Sequence, residues 1–268
     1  MVILVFVVGL ALGVALNALA DDLPPDELGQ RRALRLPHCR YCETIYPPHQ
    51  WLALSHWVLR QGRCGHCGGP RRGRHPVLEL FAGLCLAGLW VWAKGQWAAF
   101  LPAVVLTFIF TLVTVVDIEH RLVLWRVVLP AAVGIGLMQA ALQGGWKTLG
   151  GGLAGYGLVL GLFLLGQLFS VGLARLRGRP LDEVAFGSGD VNVAALVGLA
   201  VGWPGVLLAL LVTIFSGGLF SLAFLVAQLL RRRYNPYTAI PYGPFLAFGA
   251  AVIYLYGHDL AAWYMAQR

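Results

Sequence analysis

Long stretches without any charged residue limit what this chain can fold into. No Asp, Glu, Lys or Arg occurs in residues 1–20, 97–116 or 191–230. A helix that crosses a membrane needs about 20 mostly apolar residues, so each stretch is long enough to do so. Charged residues make up only 12% of the chain, against about 25% in soluble domains. We therefore expect a membrane protein rather than a soluble domain with one packed core.

Eight apolar segments are predicted to cross the membrane. The run at 191–230 is too long for one helix, and Trp203-Pro204-Gly205 divides it into a short helix and a full one. Glycines four residues apart, such as Gly151 and Gly155, predict close packing between helices. The sequence thus predicts an all-α, polytopic membrane helix bundle of about eight spans. The other six segments are residues 1–20, 76–93, 97–116, 127–146, 148–174 and 234–257.

The basic residues are distributed unevenly between the loops. Seventeen of the 20 Lys and Arg residues fall in alternate gaps: residues 21–75, 117–126, 175–189 and 231–233. Cytoplasmic loops carry an excess of Lys and Arg, so we expect these gaps in the cytoplasm and both termini outside. Membrane orientation therefore explains the net charge of +8, and no nucleic-acid partner is expected.

Two Cys-x-x-Cys pairs lie in residues 21–75, the largest polar segment. Four thiolates with this spacing can surround Zn²⁺ tetrahedrally, and such a site is structural because no position is left for water. Disulfides would suit an oxidising compartment, and a redox site needs only one pair. The expected cytoplasmic location favours zinc. His66, inside the second pair, could hydrogen-bond to the site or compete as a ligand. The predicted ligands are Cys39, Cys42, Cys64 and Cys67.

Acidic residues at the ends of apolar segments are rare and usually functional. Asp117 ends one predicted span and Asp190 begins another, both at the cytoplasmic side, so they can meet at one depth. Two carboxylates in contact share a proton and can act as base and acid on water. Two structural alternatives stay open. Asp190 could be a helix N-cap, and Asp117 could pair with His120 or Arg121.

Other residues near these positions have structural or supporting interpretations. Gly187 and Gly189 lack a Cβ, so the backbone before Asp190 could bend and admit a substrate strand. Glu79, near the start of a span, is interpreted as a structural partner of an arginine such as Arg74.

Short motifs along nearly the whole chain resemble those of one enzyme family. Gly187-Ser188-Gly189-Asp190 resembles the GxGD motif of membrane aspartic peptidases, and several stretches are similar to type IV prepilin peptidases in particular. Gly13-Val-Ala-Leu-Asn17 resembles GSFLN, and Asp117-Ile-Glu-His120 resembles IDxxH. Three further matches are Gly62-Arg63-Cys64 through Glu79-Leu80 with GRCxxC…RYPxxEL, Asp190 through Gly198 with GDVKLLAxLG, and Ile240 through Leu246 with IPFGPFL.

The resemblance implies an activity and a location. Such enzymes cut the basic leader from prepilins and pseudopilins after a glycine, at the cytoplasmic face of the bacterial inner membrane. Many also methylate the new N-terminal amine with S-adenosylmethionine. It implies Asp117 and Asp190 as the catalytic pair, in a core of residues 76–268. A first span (1–20) and a zinc-binding loop domain (21–75) precede that core. Leader contacts are expected from Glu43, Asp182 and Glu183.

The chain departs from the family pattern at several positions, which leaves alternatives open. Leu124-Trp125 stands where the family has Pro-Asp, Asn192 replaces a Lys, and His75 replaces the Tyr of RYP. One alternative is a peptidase that lacks methyltransferase activity. Another is a non-catalytic membrane scaffold or transporter, whose intramembrane carboxylates would bind protons or cations.

Overall fold

The structure is a computed structural model that describes residues 1–25, 33–60, 62–177, 187–231 and 240–266. Within these ranges the fold is all-α, and the β-structure consists of two isolated antiparallel β-bridges. The helices are α1 (Val2–Asp22), α2 (Ala53–Arg60), α3 (Arg74–Trp92), α4 (Trp97–His120), α5 (Trp125–Gln143), α6 (Gly145–Arg177), α7 (Ser188–Val201), α8 (Gly205–Leu230) and α9 (Gly243–Ala266). A short 3-10 turn, Pro48–Gln50, precedes α2.

Every predicted apolar segment corresponds to one helix, which confirms the membrane-bundle prediction. Six helices in the described part of the chain are long and apolar enough to cross a membrane: α1, α3, α4, α5, α6 and α8. At 14 residues, α7 is shorter, as the break at Trp203-Pro204-Gly205 predicted. The predicted start of the last segment, residue 234, lies outside the described residues; within them its helix runs from Gly243 to Ala266. Its second half carries His258 and Asp259, which lowers its hydropathy.

The chain forms two compact units, Met1–Val115 and Val116–Arg268, and the boundary falls within α4. In the first unit, α1 packs closely along α3 because α1 has glycines at the contact. A Cβ on Gly13 would lie 2.5 Å from Cα of Glu79, and one on Gly9 would lie 2.7 Å from Cα of Gly83. Small residues four apart therefore let the two backbones approach.

The second unit uses the same device between α6 and α7. A Cβ on Gly155 would overlap the carbonyl oxygen of Ala194, and Cβ atoms on Gly151 and Gly198 would each meet the opposite backbone. The predicted close packing at Gly151 and Gly155 is confirmed. Gly249 of α9 similarly faces Thr213 and Ala209 of α8. These contacts fix the positions of α7 and α9, whose first turns carry the residues described next.

Candidate active site and metal centre

The last turn of α4 presents Asp117 to the first turn of α9. The side chain is 7% exposed, and its Oδ2 accepts a hydrogen bond of 2.9 Å from the amide of Gly243. Gly243 is the first residue of α9, so its amide is one of the donors that a helix leaves unpaired at its N-terminus. The positive end of the helix dipole favours a carboxylate at this position.

Asp190 occupies the equivalent setting at the start of α7. Its Oδ2 accepts a hydrogen bond of 3.2 Å from the amide of Gly187, which is the N-cap residue. The amide of Asp190 in turn donates to the carbonyl of Gly187 at 3.1 Å. Asp190 is thus the third residue of the helix rather than the N-cap, and it satisfies the amide of the N-cap in the manner of a capping box.

The two carboxylates lie close enough for the charge of Asp117 to act on Asp190. Within the described residues, the ion pairs involve other carboxylates, and none includes Asp117 or Asp190. His120 lies 3.9 Å from Glu119, and the charge of Arg121 acts on Asp117 although the two form no ion pair. The structure therefore brings the two sequence-predicted aspartates together, with backbone amides as their hydrogen-bond donors.

The two glycines of the predicted supporting motif have different surroundings. Gly187 has φ −78° and ψ 146°, which any residue can adopt. Neither Gly187 nor Gly189 is among the residues with positive φ. A Cβ on Gly189 would lie 2.5 Å from Cγ2 of Val123, so close packing requires glycine there. The contact with Val123 gives a steric reason for glycine at residue 189, and the expected approach of a substrate strand stays a prediction.

The four cysteines of the predicted metal site converge. Their Sγ atoms all lie within 4.8 Å of one another, with Cys39 and Cys67 at 3.6 Å and Cys42 and Cys64 at 3.9 Å. Tetrahedral zinc with Zn–S bonds of about 2.3 Å requires sulfurs about 3.8 Å apart. Burial raises the pKa of Cys39, but hydrogen bonds from the Cys42 and Tyr41 backbones outweigh it and lower the pKa to about 6. The donor set therefore fits a tetrahedral metal ion.

Both halves of this site have the same pattern of backbone hydrogen bonds, displaced by 25 residues. In the first half the amide of Cys39 donates to Thr44 O, that of Glu43 to Cys39 O, and that of Tyr46 to Pro37 O. In the second, the corresponding bonds are Cys64 to Gly69, Gly68 to Cys64, and Arg71 to Gly62. The side chains that follow also meet, since the Arg71 guanidinium lies 4.6 Å from the centroid of the Tyr46 ring. His66 is exposed and lies outside the four-sulfur group.

A polar group that the sequence analysis missed joins this segment to α1 and α3. Asp21 at the end of α1 accepts from Arg72 at 3.0 Å and from Arg74 at 2.8 Å, and Nε2 of His75 lies 2.9 Å from its other oxygen. We call Asp21, Arg72, Arg74 and His75 the Asp21 cluster. His75 is a departure from the family pattern, and the contact with Asp21 gives it a structural role. The available signal was an acid at the end of one span facing a basic run before the next.

Glu79 has a different partner from the arginine expected. Its two carboxylate oxygens accept hydrogen bonds from the amides of Ala53 at 2.9 Å and Leu54 at 2.8 Å, at the start of α2. The predicted partner, Arg74, pairs with Asp21 instead. Glu79 is 1% exposed and therefore acts as a buried cap for α2.

Comparison with known proteins gives the family. A sequence profile of the type IV leader peptidase family matches residues 104–222, and one of the bacterial peptidase A24 N-terminal domain matches residues 7–93. Together they span most of the chain. No solved structure matches it.

Similar proteins include three described as prepilin leader peptidase/N-methyltransferase. The one from Aeromonas salmonicida (strain A449) is 26% identical over 253 residues, covering 92% of this chain and 81% of the relative. The one from Aeromonas hydrophila is 27% identical, covering 91% and 78%. The one from Bacillus subtilis (strain 168) is 24% identical, covering 85% and 84%. With both profiles matched and an acidic pair at the expected motifs, the chain belongs to the type IV leader peptidase family.

Proposed function

We propose that this protein cleaves the leader from prepilins and pseudopilins after a glycine, and that Asp117 and Asp190 perform the hydrolysis. The observation that carries the proposal is the convergence of these two carboxylates at the N-termini of α7 and α9. The names of the relatives supply the substrate class. The motif around each aspartate supports the same assignment.

The pair has the chemistry that peptide hydrolysis needs. Two neighbouring carboxylates share one proton, so one is a base while the other is an acid. The ionised carboxylate takes a proton from water, and the oxygen of that water forms a bond to the scissile carbonyl carbon. The protonated carboxyl group gives its proton to the leaving nitrogen as the C–N bond breaks. The pair titrates as a unit, so these roles belong to the pair rather than to one residue.

The amides of Gly187 and Gly243 hold the two aspartate side chains in place for this reaction. Each donates to one oxygen of an aspartate, which leaves the other oxygen of that carboxylate available to water or substrate. Preorganised carboxylates need no rearrangement at the moment of reaction. The same amides orient the two side chains from two different helices.

The orientation in the membrane is also part of the proposal. The distribution of Lys and Arg favours a cytoplasmic position for residues 21–75 and for the ends of α4 and α7. Glu43, an expected leader contact, is exposed and pairs with Arg35 at 3.0 Å. The other two expected contacts, Asp182 and Glu183, lie outside the described residues. A basic leader would therefore compete with Arg35 for Glu43.

Zinc is proposed as a structural ion held by Cys39, Cys42, Cys64 and Cys67. When bound, the ion would crosslink the two halves of the loop domain. Four thiolates would fill its tetrahedral coordination positions and leave none for water. The relatives' names also support a second activity, transfer of a methyl group from S-adenosylmethionine to the new N-terminal amine. A peptidase without this activity is the alternative.

A cleavage assay tests the proposal directly. Purified protein in lipid would be mixed with a prepilin that has a basic leader and a Gly-Phe junction, in parallel with Asp190→Asn. We expect the wild type to cut after glycine and the variant to be silent. Equal turnover by both would contradict the aspartate mechanism, and no cleavage by a folded wild type would favour the scaffold or transporter alternative. Mass spectrometry of the product with S-adenosylmethionine present decides the question of methylation.

A further inference from the structure

Within the described residues, the first turn of α9 contacts the Asp117 carboxylate through Gly243. The amide of Gly243 donates to Oδ2 at 2.9 Å. A Cβ built on Gly243 would lie 2.6 Å from Oδ2 and 3.1 Å from Cγ of Asp117. Real Cβ atoms do not approach other atoms this closely. Any side chain at residue 243 would therefore displace the carboxylate, the amide or both.

The position of Gly243 is in turn fixed by α8. Thr213 is fully buried, and its hydroxyl lies 2.8 Å from the carbonyl of Ala209 and 3.2 Å from that of Phe245 in the first turn of α9. A Cβ on Gly217 would lie 3.3 Å from the Tyr242 ring, so the backbone of α8 lies directly beside the segment before α9. Two contacts from α8 thus hold the start of α9 against movement along the bundle.

From these contacts we infer that Gly243 is a positioning residue for the hydrolytic reaction. Its amide orients Asp117, and its lack of a side chain leaves the space that the carboxylate occupies. The inference rests on the proposed function, because Asp117 must take part in hydrolysis for its orientation to affect the rate. Gly243 acts through Asp117 and makes no contact with substrate in this scheme.

The test compares Gly243→Ala with a matched glycine variant. Gly218→Ala lies in α8 at a position where a Cβ would meet nothing within 4 Å, so it controls for the added methyl group. Cleavage of the prepilin would be followed at several substrate concentrations, with the melting temperature measured on the same samples. A displacement of about 1 Å at a reacting group can cost about 100-fold in rate. We expect Gly243→Ala to lower kcat about 100-fold at unchanged KM and melting temperature, and Gly218→Ala to match the wild type.

A second variant covers the case in which Gly243→Ala does not fold. Thr213→Val keeps the shape of the side chain but removes the hydroxyl that contacts Phe245 O, so the first turn of α9 is less constrained. We expect a kcat about 10-fold below wild type at unchanged KM, since the displacement is smaller. Activity of either folded variant equal to that of the wild type would overturn the inference. So would a loss of kcat that is matched by a loss of folded protein.

The same experiment separates this inference from the proposed function. If the wild type cleaves and Asp117→Asn is silent, the proposed function stands, and the kcat of Gly243→Ala alone decides the positioning role. If the folded wild type does not cleave, or if Asp117→Asn remains active, the proposed function fails and the positioning role fails with it.

Discussion

Two groups of carboxylates lie at helix ends in this chain, and their charges are balanced differently. Asp21 lies against Arg72, Arg74 and His75, at distances of 2.8 to 3.0 Å. Asp117 and Asp190 lie near each other, and within the described residues each accepts a hydrogen bond from a backbone amide and neither forms an ion pair, although the charge of Arg121 acts on Asp117. Cations favour the ionised form of a neighbouring carboxylate, whereas a second carboxylate disfavours it, so two close carboxylates can share one proton.

This difference suggests that the Asp21 cluster contributes to folding stability and that the Asp117–Asp190 pair contributes to the reaction. A paired carboxylate holds α1, α3 and the cysteine segment together and has little capacity left for a proton. Under the proposed function, the Asp117–Asp190 pair would exchange protons with water, because two close carboxylates disfavour full ionisation. We therefore expect substitutions in the Asp21 cluster to affect folding and substitutions in the pair to affect turnover.

The largest expected effect comes from removing a charge from the pair. Asp117→Asn and Asp190→Asn should each lower the rate of prepilin cleavage about 1,000-fold or more, because general acid–base catalysis by the pair is lost. The asparagine oxygen can still accept the amide hydrogen bond, so the melting temperature should be unchanged or higher. Cleavage assays and thermal unfolding on the same samples give both values. If the activity of a variant is lost only because the protein unfolds, the pair would affect folding as Asp21 does, and the prediction would be contradicted.

The next effect concerns the metal centre. Cys64→Ser should reduce zinc from about one ion per chain to less than about one tenth, because a structural site needs all four thiolates. Cys85→Ser is the matched control, since Cys85 lies alone in α3 and outside the four-sulfur group. Metal analysis of the purified proteins measures the effect. Full zinc content in Cys64→Ser would contradict the four-thiolate site.

Asp21→Asn should act on stability in the opposite way to the pair variants. It leaves three cationic or polar partners without their carboxylate, which costs about 3–5 kcal/mol for a buried pair. Because the Asp21 side chain is 25% exposed, solvent screening should reduce this to about 1–2 kcal/mol. The melting temperature should fall, while kcat per folded molecule should stay within about twofold of wild type. A selective loss of kcat would show that the Asp21 cluster takes part in the reaction.

An effect on stability of similar size, with no effect on turnover, is expected at Glu79. Glu79→Gln keeps one oxygen to accept from the amide of Ala53 or Leu54 but turns an NH₂ group toward the other amide. The loss of one hydrogen bond to a charged group should cost about 1–2 kcal/mol. Thermal unfolding measures this, with Glu119→Gln as a control at the end of a different helix. No change in melting temperature would mean that the start of α2 is held by other contacts.

The sequence was sufficient for features that depend on local pattern. Uncharged runs of about 20 residues identified the membrane helices, and Trp203-Pro204-Gly205 correctly separated α7 from α8. The spacing of the cysteines identified four residues whose sulfurs converge. Asp117 and Asp190 were predicted as the catalytic pair because acids at the ends of apolar runs are rare, and that role stays a prediction.

The sequence was insufficient where a backbone group from a distant segment is the partner. Glu79 binds amides 25 and 26 residues away, and Asp117 binds an amide 126 residues away. Every residue except proline has an amide, so no side-chain pattern marks which one will be used. The structure gives Glu79 two amides of α2 and pairs Arg74 with Asp21, and the arginine whose charge acts on Glu79 is Arg71.

The length of α6 has a consequence for the lipid in which the protein works. Its 33 residues extend about 50 Å at 1.5 Å per residue, whereas the hydrocarbon layer of a bilayer is about 30 Å thick. Such a helix must tilt strongly, project into the aqueous phase, or thicken the bilayer around it. Because α6 packs against α7 through Gly151, Gly155 and Gly198, a change in its tilt would be transmitted to the helix that carries Asp190. Acyl-chain length in reconstituted vesicles should therefore tune the rate of this enzyme.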